Sequence, residues 1–189
     1  TLTPTLSQRE REKKEGKSEG MEVVIVTGDK DVLQLINENT KVVLLKKGIS
    51  ETVEQTPETI SRDYGLNPSQ LVEVKALAGD ASDNIKGVKG VGEKTALKLI
   101  QEFVSVGKLY QALEQGKGES VKGALRQRLL DSKPEALQSL ELVKLVSSVP
   151  LDFSAGGGPA SGWDIDKVRW GEFDHGAVAQ KFQELGFRT

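Results

Sequence analysis

Residues 77–100 read LAGDASDNIKGVKGVGEKTALKLI. Asp80 and Asp83 stand three positions apart, glycines follow at 87, 90 and 92 among lysines, and the stretch ends in a run with helical apolar spacing. Ala96, Leu99, Ile100 and Phe103 fall on one face of that helix. A segment that gathers acid, bends and turns basic within so short a span suits two tasks: holding a cation at its acidic end and an anion at its glycine end. Glycine permits positive φ and close backbone approach. The amides that open the following helix then point outward, where the helix dipole favours an anion. Lys86, Lys89, Lys94 and Lys98 surround this end against one acid, Glu93. A phosphate of a DNA strand is the natural guest. Such contacts carry no base code, so binding is expected to be sequence-independent and salt-sensitive.

Two rival readings of the glycines exist. A nucleotide-binding P-loop requires Gly, four residues, then Gly-Lys-Ser/Thr. Counting from Gly87 reaches Gly92, but Glu93 stands where lysine is needed, and the turn follows a helix and loop instead of a strand. The plainer alternative, a helix–turn–helix corner with glycines for packing, stays open.

Upstream, MEVVIV (21–26) is a short β-branched run that reads as a buried strand and ends in Thr27-Gly28-Asp29. Asp29 and Asp31 follow it two apart, so an extended backbone puts both on one side. Ligands of open α/β sheets gather beyond the carboxyl ends of strands. If this pair meets Asp80 and Asp83, four carboxylates repel one another unless a cation sits among them. The chain has no cysteine and a single histidine, His175, which excludes disulfides, thiolate sites and multi-histidine zinc sites. Oxygen ligands alone favour magnesium, calcium or manganese, and magnesium can activate water and clamp a phosphate. Taken singly, each pair has a structural reading, because Asp forms turns and caps helices; Asp29 alone would cap DVLQLI. The two pairs and the basic turn together favour a metal site.

The remaining sequence supplies the frame. Residues 1–20, TLTPTLSQREREKKEGKSEG, are polar and charge-dense and are expected to form a disordered tail. Thr1 in place of Met fits a piece of a longer product. DVLQLINEN predicts a short helix, KVVLL a second strand and ISETVEQ a third, which makes 21–55 a partial α/β core. Residues 56–150 are mainly helical: Thr56 and Asn67 cap helices opened by Pro57 and Pro68 and stopped by Gly65 and Gly79. VKGALRQRLLDS and PEALQSLELVKLV give two more, broken near Pro134. Residues 151–189 hold a linker, LDFSAGGGPASG, and a C-terminal helix spaced by Val178, Phe182 and Leu185. Lys122, Arg126 and Arg128 either extend the basic track or form a solvated face. Trp163 and Trp170 are expected to pin the tail, and His175 to pack or lie on the surface.

With 189 residues, 37% hydrophobic and 29% charged, the chain suffices for one domain or two small ones. Its net charge of −2 gives no global nucleic-acid signature, though a local basic patch is compatible with it. No apolar run approaches the roughly 20 residues of a membrane span, and no signal-peptide core is visible, so no membrane partner is expected.

TGDKDVLQLI, YGLNP and LAGDASDNIKGVKGVGEKTALKLI together resemble the second half of the 5′-3′ exonuclease domain of bacterial DNA polymerases of type I, within the flap-endonuclease family. The similarity covers roughly residues 20–150, with an echo in FQELGFRT. It implies an α/β core of a partial parallel sheet (PIN-like) with a carboxylate cluster and two divalent metals, followed by a helix–hairpin–helix (helix–three-turn–helix) subdomain that holds duplex DNA. By resemblance, Asp29, Asp31, Asp80 and Asp83 are the catalytic metal ligands for Mg2+ or Mn2+. Gly87, Lys89, Gly90, Gly92, Lys94 and Thr95 belong to the DNA-binding hairpin, where related enzymes also hold K+. The family hydrolyses a phosphodiester near a 5′ end or flap, with a metal-activated water as nucleophile, in replication and repair. A covalently linked polymerase domain and a cytoplasmic, nucleoid-associated setting are implied. The family's other carboxylates lie upstream, and residues 1–20 match none of them. The chain alone is therefore expected to bind DNA but cleave it poorly or not at all; a non-catalytic duplex-binding module is the alternative.

Overall fold

The computed structural model describes residues 21–47, 50–149, 171 and 173–187. Strand β1, Val23–Thr27, pairs in parallel with β2, Thr40–Lys47, in the register Val23↔Thr40 to Thr27↔Leu44. Strand β3, Glu51–Gln55, closes antiparallel on the far side of β2, giving the order β1-β2-β3. The DVLQLINEN helix is shorter and tighter than its spacing predicts, a 3₁₀ helix over Asp31–Leu35. Its continuation fails because Asn37 Oδ1 accepts the Asn39 N–H at 2.9 Å and Asn37 bridges to Thr40, which turns the chain into β2. β1 is also less covered than a buried strand: Val24 and Val26 are 47% and 63% exposed. Val24 and Val26 share the sheet face opposite Ile25, and it is Ile25 that packs against the small core.

The first helix, α1 (Pro57–Tyr64), starts and stops as its sequence dictates. Thr56 and Thr59 exchange side chain-to-backbone hydrogen bonds, and Gly65 ends the helix at φ 65°. A 3₁₀ turn, Pro68–Gln70, leads into α2, Leu71–Ala78, which Gly79 ends at φ 78°. Then come α3 (Glu93–Phe103), α4 (Val106–Glu114), α5 (Gly123–Asp131) and α6 (Lys133–Val143). Pro134 sits in the first turn of α6, where its missing N–H costs nothing.

Two cores result. Leu33, Ile36, Val42 and Ile60 form the small one between the sheet and α1. The larger packs Leu77, Ile100, Leu109 and Leu129, with Ala96 and Ala136, among the helices. Each fully buried aliphatic side chain contributes about 1.5–3 kcal/mol. Tyr64 packs against both cores. Gln34 adds a polar clamp: its Nε2 donates to Val143 O at 3.1 Å and its Oε1 accepts from Leu145 N at 3.0 Å. The 3₁₀ helix that carries Asp31 is thereby tied to the end of α6.

The chain divides into two compact units at Leu145/Val146. In the second, α7 (His175–Glu184) is capped by Asp174, whose Oδ1 accepts from Gly176 and Ala177 N–H, and Phe182 meets Phe187 edge to face. His175 lies against Phe173. Residues 1–20, the linker and both tryptophans, Trp163 and Trp170, lie outside the described residues. No described helix is long and apolar enough to cross a membrane.

Candidate metal centre and nucleic-acid interface

The acidic end of the segment 77–100 is a closed loop. Asp80 N–H donates to Ile85 O and Ile85 N–H to Asp80 O, both at 2.8 Å, and Ile85 is buried, which anchors the loop in the larger core. Between them Asp80 Oδ1 accepts from Ser82 N–H at 2.8 Å and from its hydroxyl, and Asn84 takes φ 57°. This turn aims Asp80 and Asp83 back toward the carboxyl end of β1.

Asp31 meets them there. One carboxylate oxygen from each of Asp31, Asp80 and Asp83 lies within 4.8 Å of the others. Asp29 lines the same cleft, of about 590 Å³, but is outside this trio; its Oδ1 accepts the Asp31 N–H at 2.8 Å and so orients Asp31. This is a local turn bond just ahead of the 3₁₀ helix, whose N-cap position is Lys30 and which has no side-chain cap.

In the middle of the trio sits a residue that sequence reasoning missed. Lys75, in the last turn of α2, places its ammonium in ion pairs with Asp31, Asp80 and, at 3.4 Å, Asp83. Burial opposes its charge, but hydrogen bonds to Asp31 and Asp80 outweigh that and hold its pKa above the ordinary lysine value. Asp80 is held well below the usual carboxylate range, first by its bond from Lys75 and then by the two from Ser82. The available signal was a lone lysine flanked by Val74, Ala76 and Leu77, all buried, in an otherwise apolar turn.

The donor set fits a hard divalent cation. All ligands are carboxylate oxygens from two distant segments, and the ammonium among them shows that the cluster accepts positive charge at its centre.

Behind the loop, Val88 N–H donates to Leu77 O at 2.8 Å, and Val88 and Val91 are buried, so the hairpin is locked onto α2. Gly87 (φ 59°) packs back to back on Gly79; a Cβ there would overlap the Gly79 main chain. Its N–H turns inward to Ser139 Oγ at 3.3 Å. Gly87 therefore shapes the hairpin without presenting its amide. Lys89, Gly90, Gly92 and Lys94 are exposed, and Thr95 is half-buried. Gly92 is the N-cap of α3, so the amides of Glu93 and Lys94 precede the first intrahelical bonds.

Of the three basic residues on and before α5, Arg126 is structural, donating to Leu113 O and Lys117 O. Lys122 is exposed at the start of α5. The Arg128 guanidinium lies over Gly90, so close that a Cβ on Gly90 would overlap it. Arg128 thus extends the basic face of the hairpin.

The profile of the family "5′-3′ exonuclease, C-terminal SAM fold" matches residues 66–165, just over half of the chain. The chain belongs to this 5′-3′ exonuclease family. Its match takes in α2, the acidic loop, the hairpin and α3 to α6. DNA polymerase I of Bacillus subtilis is 38% identical over 176 residues, 93% of this chain and 18% of that protein. DNA polymerase I of Lactococcus lactis subsp. cremoris is 44% identical over 166 residues, 88% of the chain and 17% of the relative. The chain therefore spans less than a fifth of these relatives. A solved mutant of T5 5′-exonuclease superposes with TM-score 0.52 at 25% identity, over 65% of this chain and 47% of that one. A T5 5′-exonuclease with zinc bound gives the same TM-score at 24% identity, over 65% and 42%, and carries the fold likeness alone. The architecture is thus that of 5′-nucleases, an α/β core with a partial parallel sheet followed by a helical hairpin subdomain.

Proposed function

We propose that the chain carries the downstream part of a structure-directed 5′-3′ exonuclease and flap endonuclease acting on DNA. One observation carries the reading: Asp31, from the start of the 3₁₀ helix that follows β1, meets Asp80 and Asp83, from the loop after α2, in a cluster that abuts an exposed basic hairpin. Asp31, Asp80 and Asp83 would hold Mg2+ or Mn2+, with Asp29 orienting Asp31. When bound, the cation supplies charge neutralisation at a scissile phosphate and an acidified water. The hairpin residues Lys89, Gly90, Gly92, Lys94 and Thr95 grip a phosphate of the duplex behind that point, and K+ is the monovalent ion such a hairpin would take. Gly87 contributes by closing the turn. The substrate class is duplex DNA with a 5′ end or flap, a polymerase domain is the linked partner, and the bacterial cytoplasm at the nucleoid is the setting.

A second reading, a duplex-binding module without catalysis, draws on the placement of the carboxylates. Among the described residues only Asp31, Asp80 and Asp83 converge, a small ligand set for two metal ions with a phosphate between them. The two readings meet in one assay. A labelled 5′-flap duplex incubated with the chain and magnesium is expected to be bound and cleaved slowly at the flap base. Binding with no cleavage under any divalent ion leaves the binding module; rapid multiple turnover removes the claim that the cluster is one part of a larger site.

A further inference from the structure

Lys75 is not among the residues that the metal-site reading needs, yet it occupies the centre of the site. Its Nζ pairs with Asp31, Asp80 and Asp83, the same three side chains whose oxygens converge within 4.8 Å. A magnesium-sized ion requires oxygens at about 2.0–2.1 Å in near-octahedral array. The ammonium uses the lone pairs that such an ion needs and repels it at contact distance, so the two cannot share the cluster.

We infer that Lys75 is the resident cation of the carboxylate cluster and that a divalent ion enters by displacing it. The proposal rests on the metal-centre reading above. Three features make the exchange a side-chain event. Lys75 has its main chain fixed in the last turn of α2, between buried Val74 and Ala76. Its flexible four-carbon stem lets the charge move while the helix stays. The cleft beside it, lined also by Tyr64, Leu71 and Glu93, has room for the displaced head group. The consequence is that the cluster stays collapsed and neutralised without a divalent ion, and that the ion's net affinity is lowered by the charge it replaces. A lysine that merely scaffolds the carboxylates does the opposite: removing it splays them apart and weakens ion binding.

The test is Mn2+ titration of the whole chain, followed by electron paramagnetic resonance of the free ion, for wild type and Lys75→Met. The methionine keeps the stem and removes the charge. The expected result is Mn2+ binding about tenfold tighter in the variant, equivalent to about 1.4 kcal/mol. Unchanged or weaker binding overturns the proposal while leaving the metal centre intact. If neither protein takes up Mn2+, the metal-centre reading falls and the displacement with it. A crystal structure of the wild-type chain with Mn2+ is independent of how the variant folds. The expected result there is Lys75 Nζ beyond hydrogen-bond reach of Asp31 and Asp80. An ammonium still bonded to both beside the ion overturns the proposal.

Discussion

Single residues here carry tensions that composition hides. Tyr110 is 2% exposed, packed in the larger core, and its hydroxyl has no hydrogen-bond partner among the described residues. A buried unsatisfied hydroxyl costs about 1–3 kcal/mol. Burial first, and the charge of Glu135 second, push its pKa up to about 12. Both effects oppose the phenolate, so the folded state keeps a proton that the unfolded chain, at about pH 10, has lost. The native state then binds more protons than the unfolded one only between those values. Stability from this group is fully present below about pH 10 and drains as pH rises through about 12, by on the order of 2–3 kcal/mol. Tyr110→Phe keeps the ring and removes the hydroxyl. The expected outcome in urea unfolding is a variant at least as stable as wild type at pH 7, with the loss between pH 10 and 12 reduced. A variant destabilised by 2 kcal/mol or more at pH 7 would show that the hydroxyl has a partner after all. Lys75 and Asp31 make the same point from the other side. Carboxylate spacing marked the acids, but spacing does not show that Asp31, 44 residues before Lys75, folds onto the same ammonium as the nearby Asp80 and Asp83.

Capping chemistry made α1 legible at both ends, because Thr56, Pro57 and Gly65 act through neighbours a few residues away, whereas Asn67 and Pro68 open a 3₁₀ turn and only Gly79 marks an end of α2. The stretch DVLQLINEN was less so: its apolar spacing suits a helix, and the Asn37 side-chain turn that cuts it short competes over two residues. Arg126 and Arg128 look alike in sequence, two apart on α5, yet one caps the end of α4 and the other covers Gly90. That split depends on packing between helices, which periodicity does not encode. It also gives a prediction for the hairpin as an element. Lys94→Glu and Arg128→Ala should each weaken duplex binding, to about the same extent on any base sequence. For Arg128→Ala, the slope of log affinity against log salt should fall by about 0.9, the value for one phosphate contact. Arg126→Ala should leave that slope nearly unchanged and lower the melting temperature instead, since it removes hydrogen bonds to two main-chain carbonyls. Fluorescence anisotropy on two unrelated duplexes over a salt series separates these outcomes. A sequence-dependent loss would mean that the hairpin reads bases.

At the scale of the whole chain, a net charge of −2 conceals a dipolar arrangement: carboxylates at the mouth of the cleft and lysines on the hairpin behind it. Gly79 and Gly87 join the two, because their back-to-back contact closes the acidic loop at the base of the hairpin. Gln34 holds Asp31 in register from the other side by tying its 3₁₀ helix to the end of α6. The sites are thus fixed to one frame but use separate side chains, which sets what a double substitution should do. Asp80→Ala with Asp83→Ala removes two of the three converging oxygens and leaves the hairpin untouched. Mn2+ binding is expected to vanish. Duplex affinity is expected to hold or rise, because two negative charges near a polyanion are gone and their repulsion acts over a Debye length of about 8 Å at physiological salt. The fold should survive: Lys75 keeps Asp31 as a partner, and ion pairs this close to the surface are worth about 1 kcal/mol or less. The loop's closing bonds between Asp80 and Ile85 are main-chain bonds that alanine retains. Circular dichroism, Mn2+ titration and duplex binding on one preparation decide the matter. Loss of duplex binding in a folded double variant would mean that the acidic loop itself presents the hairpin, and that the two ends of residues 77–100 are one site.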